Sequence, residues 1–432
     1  MANTKFQKSH ELLDKATAVI PLATQTFSKS VLNLVVGESP LFLERGKGAY
    51  VYDIDGNRFL DLILGLLPVV LGHADNDVNN AIIGQLEKGI SFSLATPLEE
   101  ELASVLCSEI PCAEMVRFGK NGSDATSAAI RLARAVTGRE KIICMGYHGW
   151  HDWYIGTTTR ELGVPKAVSE LSIALRFNAP DQVEDVLKAS PNSFAAIILE
   201  PDGHERPTSG FLQALRELCD KYGVILIFDE IVTGFRCDMG GAQKHHSVTP
   251  DLACFGKAMG NGMPISALVG RRDIMKSVED IFFSGTFGGE ALSLAASIAT
   301  IDKMKKVGGI DKIHNTGDRL LAILNDASRA NGLEEHLSFV GPSWLPSIHL
   351  SDCGTGDSLL SKSLLRQSLV EQDVLCGGGI NICVAHSEKD VFADIEMSWR
   401  RALDVFADAV RSPSPAAKLR GKKLQPIFQV RR

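Results

Sequence analysis

The 432-residue chain is 45% hydrophobic and carries 45 Lys+Arg against 52 Asp+Glu, a formal net charge of −7. That length can bury a large core and suits two domains, and the acidic balance speaks against the concentrated positive face of a nucleic-acid binder. Nine cysteines stand as singletons with no C-x-x-C, so neither a disulfide framework nor a zinc ribbon is expected, and a reducing cytoplasm fits. No run of about 18 apolar residues occurs, so no membrane span is expected.

Taken in chain order, "MANTKFQKSHELLDKA" predicts a surface helix and lacks the layout of a secretory signal. "GAYVYDIDGNRFLDL" (48–62) places two short strands around an Asp-Gly turn, a hairpin signal. From about 70 to 300, helices alternate with short apolar runs. "AAIILE" (195–200) reads as a buried strand. Leu212, Leu215, Leu218 and Tyr222 recur at helical spacing up to a capping Gly223, and "VILIFDE" (224–230) then reads as another buried strand. Such alternation predicts a mainly parallel sheet of an α/β fold, covered by helices on both faces. Past about 305 the chain becomes more polar, with a helix in "GDRLLAILNDASRANG" and a bend in "CGGGINICVAH". We therefore expect an N-terminal segment 1–60 that completes a small α+β domain at 306–432, with a large domain at 61–305. The basic run "KLRGKKLQPIFQVRR" (418–432) reads as a solvated tail.

In an open α/β sheet, ligands bind beyond the carboxyl ends of the strands. Both clear strands end in acids there: Glu200, then Asp229 and Glu230. Alternation sends Asp229 and Glu230 to opposite faces, so they are not an acid–base dyad. The bland reading of each acid alone is a carboxylate capping a loop. In "FGKNGSDATSAAIRLARAVTGR", Asn121, Gly122 and Ser123 precede a helix that stops at Gly138. Ser123 is the expected N-cap, with backbone N–H groups left for a phosphate, although many helices start with Gly-Ser and bind nothing. "GYHGWHDW" (146–153) contains His148, His151 and Asp152, but Gly149 interrupts the spacing, and packing or stacking roles are commoner than a metal; none is expected. Tyr147 can instead cover the face of a planar ring. Finally, "FGKAMGNG" places Lys257 between Gly256 and Gly260, where packing would ask for leucine. A phosphate seat, an aromatic cover, a strand-end carboxylate and an isolated lysine together suit pyridoxal 5'-phosphate (PLP), which needs an anion site, a lysine for its aldehyde and an acid beside its ring nitrogen. An apolar setting lowers the proton affinity of such a lysine.

The order of these motifs resembles the class III PLP-dependent aminotransferases of fold type I, and within them the glutamate-1-semialdehyde aminomutase-like branch. The resemblance runs from about residue 30 to 400 through "GAYVYDIDGNRFLDL", "KNGSDATSAAIRLARAVTGREKI", "GYHG", "ILEP", "LIFDEIVTGFR", "PDLACFGKAMGNGMPISALVGRRDIM", "SGTFGGEALSLAA" and "AHSEKD". It implies a seven-stranded-type sheet in the large domain. It further implies that Lys257 forms the Schiff base and moves the substrate proton, that Asp229 pairs with the pyridine nitrogen, and that Ile231 packs on one ring face. Tyr147 stacks on the other face, with His148 nearby. By the same resemblance Gly122 and Ser123 hold the phosphate, Glu200 lies near the cofactor hydroxyl and the substrate, and Thr286 reaches the phosphate of a neighbouring subunit in a homodimer with shared active sites.

The chain departs from the family pattern in three places. "KNGSDA" replaces "NSGTEA" but keeps a glycine and a hydroxyl. "EPDGHERP" and "TFGGEALS" differ more from the aminomutase forms, and these flank the substrate pocket. The expected activity is an aminotransferase that passes an amino group from a donor, through a pyridoxamine phosphate intermediate, to a carbonyl-containing small molecule. The alternative is an intramolecular aminomutase of the glutamate-1-semialdehyde 2,1-aminomutase type, with decarboxylases and racemases of the same fold behind it. A cofactor-binding protein with lapsed catalysis is the reading from another class; intact Lys257, Asp229 and Glu200 speak against it. Arg236, Arg271 and Arg272 are candidates for holding a substrate carboxylate.

Overall fold

The computed structural model describes residues 4–203 and 205–426. They fall into two compact units, one drawn from the chain up to Leu66, Leu71–Asp75 and Asp311 onward, the other from Leu67–Val70 and Asn76–Ile310.

The first unit begins with helix α1 (Gln7–Thr17) and strands β1 (Leu43–Lys47), β2 (Tyr50–Asp53) and β3 (Arg58–Asp61). The expected hairpin is there, with Tyr50 opposite Leu60 and Tyr52 opposite Arg58. Its turn closes when the Asn57 amide donates to Asp53 Oδ1 at 2.7 Å, an Asx-type bond that favours turns over a continued strand. Phe6, Val51, Phe59, Val370 and Leu375 form the apolar cluster under this sheet.

The second unit is built on β4 (Met115–Gly119), β5 (Lys141–Met145), β6 (Ser172–Ala174), β7 (Phe194–Leu199), β8 (Ile225–Asp229), β9 (Leu252–Phe255) and β10 (Ser266–Gly270), in spatial order β4-β10-β9-β8-β7-β5-β6. Only β10 runs antiparallel to its neighbours, so the sheet is mainly parallel as the sequence predicts. Every residue of β7, β9 and β10 is buried, as for strands covered on both faces. Helix α2 (Gly122–Thr137) lays Ala125, Ala128, Ala129, Leu132 and Ala133 against Ile142, Cys144, Ala196, Ile198, Ile227 and Cys254. Its small alanines let the helix approach the sheet closely. Helix α3 (Phe211–Tyr222) ends on Gly223 at φ +59; the short α4 (Ala242–His245) follows β8.

The chain then returns to the first unit with β11 (Leu337–Val340), β12 (Ser347–Leu350), α5 (Ser358–Glu371), β13 (Val374–Leu375) and α6 (Lys389–Val410). β13 joins the first sheet parallel to β3. The basic run departs from its reading as a solvated tail. Lys422 N donates to Val36 O at 2.8 Å and Gln425 N to Leu32 O at 2.9 Å. Leu424 is buried, and Lys423 pairs with Asp357 at 2.5 Å. Arg420 meets Glu38 at 2.8 Å and also pairs with Glu371. Acids distant in sequence thus pair with two of its cations, while backbone bonds and Leu424 dock the segment. Residues 427–432 of that run lie outside the described residues.

Candidate active site

Because successive strand side chains alternate, Ile227 and Asp229 share the face on which α2 packs, as do Ala196, Ile198 and, by the same period, Glu200. Glu230 faces the other way. There it bonds the Thr233 hydroxyl and the backbone amides of Ala242 and Gln243, the latter two at 2.7 and 3.0 Å. The strand ends therefore bring Glu200 and Asp229 to the side where α2 begins.

That beginning differs in one detail from expectation. Asn121, not Ser123, is the N-cap, and Gly122 is the first helical residue. Asp124 completes the cap by accepting from the amides of Asn121 and Lys120 at 2.7 and 3.0 Å, the reciprocal partner of a capping box. Asn121 and Ser123 are comparable caps by type; Asp124, three residues after Asn121, decides between them. Ser123 is released into the first turn, where its hydroxyl accepts from the Trp150 amide at 3.3 Å.

The loop after β5 is pinned to this turn. Thr126 Oγ1 donates to the His148 carbonyl at 2.9 Å. Gly149, at φ +104, sits so close that a Cβ there would lie 2.2 Å from Ser123 Oγ. His148 is fully buried, with Nδ1 2.8 Å from Asp229 Oδ2 and Nε2 3.2 Å from the Met145 carbonyl. Asp229 Oδ1 accepts from the Ile231 amide at 3.2 Å. A histidine thus fixes the orientation of the strand-end carboxylate, as in other buried acid–imidazole pairs. The Tyr147 amide donates to Glu200 Oε2 at 3.0 Å. Its half-exposed ring stands edge-on to Tyr154, 5.6 Å between centroids.

Lys257 follows β9 and opens a short 3-10 turn, Lys257–Gly260, at φ +36. A left-handed lysine costs about 1–3 kcal/mol, and such strain persists where surroundings enforce it, commonly at functional sites. Lys257 and Glu200 keep some solvent access, yet lie deep enough for burial to dominate their titration. Burial pushes the Lys257 ammonium below its ordinary value; the Glu200 and Asp229 carboxylates oppose this, and the Arg236 charge adds to it. Burial, and after it the Asp229 charge, raises the Glu200 carboxyl. Burial also raises the Tyr147 hydroxyl, with Asp229 and Glu200 contributing.

A planar cofactor needs space between the helix start and the lysine, and glycines supply it. A Cβ on Gly122 would come within 3.2 Å of Ile231 Cδ1, and one on Gly256 within 3.0 Å. Ile231 thus sits against both glycines. The donor set also fits PLP: backbone N–H groups and a hydroxyl at a helix N-terminus for phosphate, an oriented carboxylate for a ring nitrogen, and an amine with lowered proton affinity for an aldehyde.

Other sequence candidates sit elsewhere. Thr286 is exposed and lines a cleft of about 450 Å³ with Lys120, Arg131, His151, Phe282 and Phe287. His151 turns to Ser127 at 2.6 Å, so it does not converge with His148 on a metal. Arg271 is taken by Asp251 and Asp273 at 2.8 and 2.6 Å, and Arg272 donates to the Glu114 carbonyl at 3.1 Å. Arg236 is fully buried and donates to the Leu67 carbonyl at 2.9 Å. Sequence reasoning passed over Thr126 and the pair formed by Asp202 and His246, 2.8 Å apart. Partners 44 positions apart leave no spacing signal; the unusual "EPDGHERP" was the one cue.

A lysine set among strand-end acids and a glycine-serine helix start, on a mainly parallel sheet, is the arrangement of the fold type I PLP-dependent enzymes. The Aminotransferase class-III profile matches residues 34–336, and the chain belongs to that family of enzymes, whose cofactor is PLP. It is 35% identical over 405 residues, 91% of this chain and 96% of the other, to the 3-aminobutyryl-CoA aminotransferase of Cloacimonas acidaminovorans. It is 39% identical over 344 residues, 76% of this chain and 79% of the other, to a glutamate-1-semialdehyde 2,1-aminomutase of Syntrophobacter fumaroxidans. Among solved structures, the FumI protein of Sphingopyxis sp. MTA144, in a PLP form, matches with a TM-score of 0.88 and 28% identity, covering 96% of this chain and 100% of that one. Among the described residues no helix is long and apolar enough to cross a membrane.

Proposed function

We propose that the chain is an aminotransferase that takes an amino group from a small donor and gives it to a carbonyl compound, acting as a cytoplasmic homodimer. The observation that carries this reading is Lys257: a partly buried lysine with lowered proton affinity, following the strand beside the one that ends in the histidine-held Asp229. PLP, when bound, supplies an electron sink for the pair left as a substrate C–H bond breaks. Lys257 takes up and releases that proton at its Nζ, which a neutral amine can do and a buried ammonium cannot. Asp229, oriented by His148, offers its carboxyl group to the ring nitrogen. Gly122 and Ser123 receive the phosphate, Ile231 and Tyr147 the two ring faces, and Glu200 the cofactor hydroxyl and substrate side. Thr286, exposed on its loop, serves the site of a second copy. The segments 1–60 and 306–432 act as a small domain, and 61–305 as the large domain.

Support for transfer over an intramolecular shift comes from the aminotransferase relative matched over 91% of this chain. An amine on a short acyl chain, as in that relative's name, is the first donor to try. The aminomutase reading stays the alternative because of the second relative. Purified, PLP-supplied protein should show a visible absorption band that Lys257→Ala abolishes, and turnover should consume one amino compound for each carbonyl compound aminated. Stoichiometric turnover of a single substrate with no second amino compound would overturn the transferase assignment.

A further inference from the structure

Outside the site described above, Asp202, His245 and His246 each offer a ligand atom, and these atoms all lie within 4.8 Å of one another. Asp202 follows the strand end that carries Glu200, while His245 and His246 close the short helix α4 beyond β8. Asp202 is fully buried, yet its Oδ1 receives no hydrogen bond. The half-exposed Arg206 stands with its Nε 3.5 Å from that oxygen. His246 Nε2 faces the other oxygen at 2.8 Å, and the rings of His245 and His246 meet edge to face, 4.8 Å between centroids. A buried carboxylate with an unfilled oxygen is a costly element that natural structures keep where an ion or a function uses it.

We propose that Asp202, His245 and His246 bind one divalent transition-metal ion of the zinc type. Two imidazoles and one carboxylate suit zinc, cobalt or nickel better than magnesium or calcium, which prefer all-oxygen shells. Tetrahedral zinc with bonds of about 2.0–2.2 Å sets its ligand atoms roughly 3.4 Å apart. His246 and Asp202 have only to open slightly to admit the ion between them. His245 has to close by at most about 1.4 Å, which an exposed side chain at the end of a four-residue helix can do. The ion takes the place of the hydrogen between His246 Nε2 and Asp202 Oδ2, and the neutral imidazole then carries its one proton on Nδ1. A fourth position stays open for water. The metal ties the segment that carries Glu200 to the one that follows Asp229 and Arg236, and so stiffens the ground beneath the catalytic row without touching it.

The test uses the tag-free holoenzyme, stripped with a chelator, desalted and titrated with Zn²⁺ alone against a competing chelator, with metal content read by mass spectrometry. One ion per chain is expected, with a dissociation constant below about 1 µM. His245→Ala, at an exposed position, should weaken binding at least tenfold while leaving PLP content and the unfolding midpoint of the metal-free protein unchanged. Asp202→Asn should do the same to metal binding, and Arg206→Ala, which removes a competing cation, should tighten it. Co²⁺ should give a tetrahedral visible spectrum that His245→Ala loses. Substoichiometric Zn²⁺ at 10 µM, or His245→Ala binding within threefold of the parent, overturns the proposal and leaves Asp202 and His246 as a buried hydrogen-bonded pair.

Discussion

Gly149→Ala tests whether the loop after β5 is part of the phosphate seat. At φ +104 any L side chain is strained, by about 1–3 kcal/mol. In addition the new Cβ would fall 2.2 Å from Ser123 Oγ and 3.0 Å from Ser123 Cβ, where ordinary contact begins near 3.4 Å, so the loop has to retreat by about 1.2 Å. That retreat breaks the Thr126 bond to the His148 carbonyl and the Trp150 bond to Ser123, about 1 kcal/mol each. Gly163 provides the control: its φ is +92 and nothing lies within 4 Å of the Cβ position, so Gly163→Ala reports strain alone. The excess of about 2 kcal/mol at Gly149 is a loss of seat-competent loop, and should weaken PLP binding about thirtyfold. PLP dissociation constants from quenching of tryptophan fluorescence, with urea midpoints of both apoproteins, measure it. Equal PLP affinities for the two variants, within threefold, would refute the assignment of this loop and Ser123 to the seat.

Lys257→Ala should leave PLP reversibly bound, removed by gel filtration, whereas borohydride should fix it to the parent chain at residue 257 by peptide mass. The Glu200 carboxylate raises the proton affinity of Lys257 against the larger effect of burial. Glu200→Gln should therefore shift the pH midpoint for PLP capture by the apoprotein downward; an upward shift would contradict the electrostatics. The Lys423 hydrogen bond holds Asp357 below its ordinary value. A carboxyl depressed in the folded state contributes stability above its unfolded value, near 4, and loses it as pH falls through the lower folded value. Amide exchange at Lys422, Leu424 and Gln425 should thus accelerate beyond the intrinsic rate below pH of about 4. Asp357→Asn should show that acceleration already at pH 7, and indifferent exchange would mean that Leu424 alone holds the segment.

Much of this arrangement was legible because it is local or periodic. The all-apolar β7, the apolar run of β8 up to Asp229, the Gly223 and Gly138 helix ends, and a lysine flanked by glycines each announce themselves within a dozen residues. What escaped depends on partners far away in sequence. The charge of Arg420 and Lys423 suggested solvent alone, but both find acid partners, Glu38, Glu371 and Asp357, far away in sequence. The reversed direction of β10 and the spatial order of the strands have no local signature. The choice of Asn121 over Ser123 as cap turned on Asp124, which a list of good caps does not weigh.

The row of candidate site residues inherits its spacing from the backbone. β9, β8, β7 and β5 are consecutive in the sheet, and the segments beyond them supply Lys257, Asp229, Glu200 and Tyr147 in turn, on a pitch of about 4.8 Å per strand. The sheet works as a comb whose teeth are interchangeable but whose pitch is not. New substrates can be met by changing the loops beyond the teeth. A one-residue insertion inside β8, by contrast, would put Phe228 where Asp229 stands and send the histidine-held acid to the opposite face. Insertions in β8 should therefore be far less tolerated than substitutions around the rim.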